Sequence, residues 1–128
     1  MSGQAGVSRP GRVLRLLIWL IFTSLWTYSL LAPQPVQPSD DPVCQRRFAQ
    51  IANGTHVAVY FLYAVLTGWL RLAKPTRYYF FAFLMVHAAL IEYCQTFFPW
   101  RHASWEDFGL DVAGIAVGVV FNSYWWRD

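Results

Sequence analysis

Two pairs of polar residues in the C-terminal third of the chain have types and spacings that could do chemistry inside a membrane. Glu92 and Gln95 lie three residues apart in a hydrophobic run, and Asp107 and Asp111 lie four apart at the start of another. Residues at these separations share one face of a helix, so each pair points in one direction. Ionisable groups at membrane depth are costly and usually mark function. The pattern predicts two helices that meet with their polar ends together.

The composition is too apolar for a soluble domain of this length. Hydrophobic residues make up 56% of the 128 positions and charged residues only 13%, so a soluble fold would have a largely apolar surface. The aromatic content of 19% fits a protein whose helix ends lie at lipid headgroups. The net charge of +3 comes from Arg and Lys at the ends of apolar runs, which argues against nucleic-acid binding.

Four hydrophobic runs predict an all-α integral membrane bundle of four transmembrane helices. The first run would be about 30 Å long as a helix, which is enough to cross a bilayer core. Its length favours a retained signal anchor over a cleaved signal peptide, whose apolar region has about 7 to 15 residues. The predicted spans are residues 13–32, 55–72, 78–98 and 107–126.

The remaining segments are expected to flank or connect these spans. Residues 1–12 are rich in Gly, Ser and Arg and are expected to form a disordered cytoplasmic N-terminus. The linker 33–42 has four prolines, which predict an extended path, and residues 44–54 are expected to form a short interfacial helix. The short connection 99–106 predicts an antiparallel hairpin of the last two spans.

Positive charges set the predicted orientation. Three arginines lie between residues 9 and 15, three more cations lie between residues 71 and 77, and Arg127 lies near the C-terminus. The positive-inside rule places all three patches in the cytoplasm, with both termini there. The expected location is the cell membrane.

This topology brings the polar side chains of three spans into the outer leaflet. Glu92, seven residues before Pro99, would lie about 10 Å below the outer surface. We therefore expect a shared pocket open to the extracytoplasmic side, with Arg101 above it as the cation for the carboxylates. The candidate pocket residues are His56, Tyr60, Glu92, Gln95, Arg101, Asp107 and Asp111.

Several of these residues also have a purely structural interpretation. Glu92 and Gln95 could form hydrogen bonds that hold neighbouring helices together, and Asp107 could be only the N-cap of the last helix. Close helix packing fully explains Gly114 and Gly118, which form a G-x-x-x-G stripe.

The other histidines and the cysteines give weaker signals. His87 and His102 share neither a face nor a spacing with the acids, which argues against a role in the site. Cys44 and Cys94 are both expected toward the outer side, but a position within the bilayer argues against a disulfide from Cys94. The two cysteines also fit no zinc-binding pattern.

The polar positions resemble the signature of the VanZ-like family of small integral membrane proteins, over about residues 50 to 120. His56 with Tyr60 resembles the family's earlier H-x-x-x-Y element. The chain departs from the family pattern at Asp111, where Asn is usual, and at Ala52 and Asn53, where an Asp-Lys pair is usual. The positions that match the C-terminal signature are Glu92, Gln95, Pro99, Arg101, Asp107, an acid in place of an amide at Asp111, Gly114 and Gly118.

The resemblance implies a bacterial cell-envelope protein, in a family whose name-giving member is tied to low-level resistance to the glycopeptide teicoplanin. Three functional classes stay open. The favoured class binds a lipid-linked or amphiphilic ligand, such as an envelope precursor, with Arg101 and His56 meeting an anionic headgroup. The second is an intramembrane metal-dependent or acid-base enzyme, and the third is a small proton-coupled transporter subunit. The favoured class needs no cofactor or metal and has membrane lipid as its partner; a homo-oligomer is left open.

Overall fold

The computed structural model describes residues 9–34 and 40–125, and within these ranges the chain forms four α-helices and no strand. The all-α prediction is therefore confirmed. The predictions for residues 1–8, 35–39 and 126–128, including Arg127, lie outside the described residues. The helices are α1 (Arg9–Leu31), α2 (Pro42–Trp69), α3 (Lys74–Gln95) and α4 (Trp105–Trp125).

The first two helices begin earlier than the sequence predicted. Residues 9–12 belong to α1 and are helical rather than disordered. The expected interfacial helix 44–54 and the second span form one continuous helix of 28 residues. Its start is fixed by Asp41, whose carboxylate accepts the N–H of Val43 at 3.1 Å, and by Pro42. Proline in the first turn starts a helix instead of ending one, because no backbone N–H is needed there.

The closest packing in the bundle is between α2 and α4, through the glycine stripe. A Cβ added at Gly114 would meet the carbonyl oxygen of Val57, and one added at Gly118 would meet the Cβ of Ala64. Both glycines are buried. Only a residue without a side chain lets the two backbones approach this closely.

The N-terminal half of α1 lies beside the C-terminal end of α2. Arg15 donates from Nη1 to the carbonyl oxygen of Trp69 at 2.8 Å, and its guanidinium lies 4.9 Å from the centre of the Trp69 ring. A cation is favoured at this position because the last carbonyls of a helix have no partner within the helix and bear partial negative charge.

Two of the described helices, α1 and α4, are long and apolar enough to cross a membrane. In α1 only 11% of the apolar stretch is buried within the bundle. Large apolar side chains such as Leu17, Ile21 and Leu25 are at least half exposed. A continuous apolar surface of this kind needs a cover other than water.

Candidate functional site

A partly buried contact between α2 and α4 forms the centre of the candidate site. His56 Nδ1 lies 2.7 Å from Asp111 Oδ1, and the Asp111 side chain is completely buried. A carboxylate can only accept, so Nδ1 of His56 bears the donated proton. The Trp26 ring packs edge-on against His56, with the ring centres 6.2 Å apart, and so covers the pair from α1. Asp111 Oδ2 is buried and has no hydrogen-bond partner among the described residues.

Glu92 joins α3 to the start of α4. Its Oε2 accepts the backbone N–H of Ser104 at 2.7 Å. Ser104 in turn accepts the N–H groups of Glu106 and Asp107 at 3.2 and 3.3 Å, so Ser104 is the N-cap of α4 and Asp107 is not. The carboxylate of Glu92 therefore lies at the positive end of the α4 dipole. Its second oxygen, Oε1, is buried without a hydrogen-bond partner in the described chain.

The structure brings four of the predicted site residues into one electrostatic group. The charges of Asp107 and Asp111 act on Glu92, and all three carboxylates act on His56. His56 is the one member of the group that can be positively charged, and it is bonded to Asp111. The group thus has an excess of acidic side chains, which fits a role in attracting hydrogen-bond donors or cations.

Arg101 and Gln95 lie elsewhere and serve another purpose. Arg101 was expected above the carboxylates, but it donates from Nε to Ala32 O at 3.0 Å and from Nη2 to the carbonyl of Ser29. Gln95 donates to Leu30 O at 3.0 Å. Partial burial lowers the pKa of Arg101, yet a guanidinium remains protonated at any physiological pH.

These two side chains and Trp100 form what we term the α1 clamp. Trp100 donates from its indole to Leu31 O at 3.0 Å, so all four carbonyls of residues 29–32 have a side-chain donor. The last carbonyls of a helix lack partners within that helix, and they are especially costly where water is scarce. Arg101 therefore bonds to the C-terminal carbonyls of α1 and not to the acids, and spacing within one segment of the sequence could not show this contact.

A cleft of about 260 Å³ opens between α3 and α4, beside Glu92. Its walls are mainly apolar and aromatic, and Glu92 is the acidic residue among them. Asp107, Asp111 and His56 do not line it. Residues that line the cleft include Ala89, Glu92, Tyr93, Ala103, Trp105 and Phe108.

Tyr60 faces a second set of polar residues, which sequence reasoning gave little weight. Its hydroxyl lies 3.0 Å from His87 Nδ1, and His87 Nε2 lies 2.8 Å from the hydroxyl of Thr27. Related contacts continue toward the other end of the bundle, where Trp19 donates to Thr67 at 2.9 Å. We call this set the interior network; its residues are Trp19, Thr23, Thr27, Tyr60, Tyr63, Thr67 and His87.

The sequence did contain a signal for the interior network. On α2, His56, Tyr60, Tyr63 and Thr67 follow the i, i+4, i+7, i+11 stripe of a single helix face. Only the first two were included in the predicted site, because the acids of the later helices were used as the guide. A continuous polar stripe facing the bundle interior requires partners on other helices.

The described residues offer no ready metal centre. Within ranges 9–34 and 40–125, no three His, Cys, Asp or Glu side chains are grouped so that they could hold a metal ion. The convergence expected of a metal-dependent enzyme is therefore not found in this part of the chain. Cys44 and Cys94 are both free thiols, and His102 is exposed in the hairpin loop.

The site thus consists of a buried aspartate paired with a half-buried histidine, near a cleft that has one acidic residue in its lining. Comparisons of the chain with protein-family models, with curated proteins and with solved structures find no significant match.

Proposed function

We propose that the chain is a multi-pass protein of the cell membrane, with all four helices crossing the bilayer and both termini in the cytoplasm. The largely exposed apolar surface of α1 supports this, since lipid would cover it. α2 and α3 are less apolar, but buried polar residues such as Tyr63, Thr67 and His87 account for part of that difference. Each of these side chains has a hydrogen-bond partner inside the bundle and does not need water.

We further propose that the protein binds an amphiphilic, lipid-type ligand in the cleft between α3 and α4. The observation that supports this most directly is a largely apolar cavity whose wall includes one acidic side chain, that of Glu92. Ligand pockets combine apolar walls with a few polar groups that fix orientation. A molecule with an apolar part and a hydrogen-bond donor meets both features. Tyr93 and Trp105 suit the bilayer interface, where such a ligand has its headgroup.

This function agrees with membership of the VanZ-like family, which we propose from the spaced residues given above. Family membership would place the protein in the bacterial envelope. Its ligand would then belong among the lipids or lipid-linked precursors of that compartment. A part in teicoplanin resistance would follow from the family alone, and it can be tested separately by measuring susceptibility in a deletion strain.

Ligand binding in the cleft is tested by photo-crosslinking with a phospholipid that bears a diazirine near its headgroup. We expect labelled peptides from the α3–α4 hairpin of the purified full-length chain. Ala103→Trp should fill the cleft and abolish that labelling. The matched control is Ala116→Trp, at an exposed position of α4 outside the cleft, which should leave it unchanged. Equal labelling of both variants would refute binding in the cleft.

A further inference from the structure

The carboxylate of Glu92 indicates which headgroup the cleft would accept. Glu92 lines the cleft, and its two oxygens together offer about four acceptor positions, of which the described chain fills one with the backbone N–H of Ser104. A carboxylate with too few donors is destabilising in a largely apolar site, so a ligand that supplies a donor gains the corresponding free energy. The ligand group that meets this carboxylate must therefore be a donor.

The charges around the cleft favour a cationic donor over a neutral one. Asp107 and Asp111 act electrostatically on Glu92 and add negative charge near it. The two basic side chains predicted to belong to the site are hydrogen-bonded elsewhere: Arg101 to the carbonyls at the end of α1, and His56 to Asp111. An anionic headgroup would be repelled from this region, which reverses the expectation drawn from the sequence.

The aromatic residues of the cleft point in the same direction. Tyr93, Trp105 and Phe108 line the cavity together with the acid. Aromatic faces attract cations, and rings combined with a carboxylate are a common environment for bound ammonium groups. Because the ligand is taken to be a lipid, the ammonium must be part of a headgroup.

We propose that the cleft holds the primary ammonium of a phospholipid with an ethanolamine headgroup, and that this ammonium donates a hydrogen bond to the Glu92 carboxylate. This inference rests on the proposed lipid-binding function. The acyl chains of the bound phospholipid would extend along the apolar surfaces of α3 and α4 beyond the cleft.

The test compares lipids of equal acyl chains on the purified full-length protein in nanodiscs. Photo-labelled phosphatidylethanolamine is displaced by unlabelled phosphatidylethanolamine, phosphatidylglycerol or phosphatidylcholine. We expect the ethanolamine lipid to compete about tenfold better than either of the others, as expected for one charge-assisted hydrogen bond. Phosphatidylcholine is the informative control, because its quaternary ammonium has the charge but no N–H. The assignment would be overturned if phosphatidylglycerol or phosphatidylcholine competed as well as phosphatidylethanolamine.

Variants identify the residue responsible. In Glu92→Gln, phosphatidylethanolamine should compete only about as well as phosphatidylglycerol. The control Glu106→Gln removes an exposed acid two residues from Ser104 and should keep the preference for phosphatidylethanolamine. Retention of the preference in Glu92→Gln would overturn the role of this carboxylate. Should this variant misfold, the headgroup comparison on the unaltered protein still decides the proposal.

The outcomes separate the headgroup assignment from the broader function. Labelling that Ala103→Trp abolishes but that shows no headgroup preference would refute the ethanolamine assignment alone. Labelling insensitive to Ala103→Trp would refute binding in the cleft itself. If free ethanolamine displaced the photo-labelled lipid at the same concentration as unlabelled phosphatidylethanolamine, the bound ammonium would not have to belong to a lipid.

Discussion

His56 on α2 and Asp111 on α4 lie 2.7 Å apart, and the aspartate side chain has no exposed surface. The same two helices are in close backbone contact at Gly114, one turn along α4 from Asp111. Two contacts therefore hold the interface between α2 and α4. The hydrogen bond between His56 and Asp111 fixes the register of the two helices, and the glycine contact sets the distance between their backbones.

Loss of either partner of this pair should destabilise the bundle strongly. His56→Ala leaves the buried Asp111 carboxylate unpaired, and Asp111→Ala leaves the half-buried imidazole unpaired. We expect each to lower the free energy of unfolding by about 2 to 3 kcal/mol, with the larger loss for His56→Ala. The double variant should lose less than the sum, with a coupling of about 1 to 3 kcal/mol. Unfolding in mixed detergent micelles measures all three. Strictly additive losses would show that the two side chains do not interact, and His102→Ala, at an exposed position, is the control.

Sequence reasoning identified which residues belong to the acid-histidine group but not how their neighbours are used. His56, Glu92, Asp107 and Asp111 could be grouped because helical spacing and hydrophobic runs determine face and depth. Arg101 was misplaced because spacing within one segment contains no information about the free carbonyls of another. That information requires the packing of α1 against the end of α3, which depends on long-range contacts.

The α1 clamp should control the order of the last turn of α1. Gln95→Leu and Arg101→Ala each remove donors to the carbonyls of residues 29–32 and should cost about 1 to 2 kcal/mol. Hydrogen exchange of the amides in this turn should accelerate while that of α4 is unchanged. Arg47→Ala, which removes an exposed arginine near the start of α2, is the matched control. Unaltered exchange in the Arg101 variant would contradict the clamp.

The glycines of α4 provide a matched pair with opposite expected signs. Gly114→Ala would place a Cβ against the carbonyl of Val57 and should destabilise the protein by about 1 to 3 kcal/mol. Gly109→Ala meets nothing within 4 Å and should stabilise α4 by up to about 1 kcal/mol, since alanine favours helix. Both are measured by unfolding in the same micelles. Similar effects at the two positions would show that the stripe is not in close contact with α2.

Hydrogen-bond directions in the interior network determine the tautomer of His87. The Thr27 hydroxyl donates to Thr23 O at 2.7 Å, so it can only accept from His87 Nε2. Nδ1 is then an acceptor for the Tyr60 hydroxyl. We expect ¹⁵N NMR of labelled histidine to show a neutral ring protonated on Nε2. Thr27→Val should remove this preference and cost about 1 kcal/mol, whereas a ring protonated on Nδ1 in the unaltered protein would contradict the network.

The proposed orientation can be tested by labelling single cysteines with a membrane-impermeant maleimide in intact cells. The contact between Arg15 and the Trp69 carbonyl places the start of α1 and the α2–α3 turn at one end of the bundle, where the basic residues concentrate. With Cys44 and Cys94 replaced by serine, His102→Cys in the hairpin loop should react with the reagent from outside. Ala73→Cys in the α2–α3 turn is also exposed, and it should react only after lysis. The reverse result would put the cleft and Glu92 on the cytoplasmic side. The lipid bound in the cleft would then come from the inner leaflet.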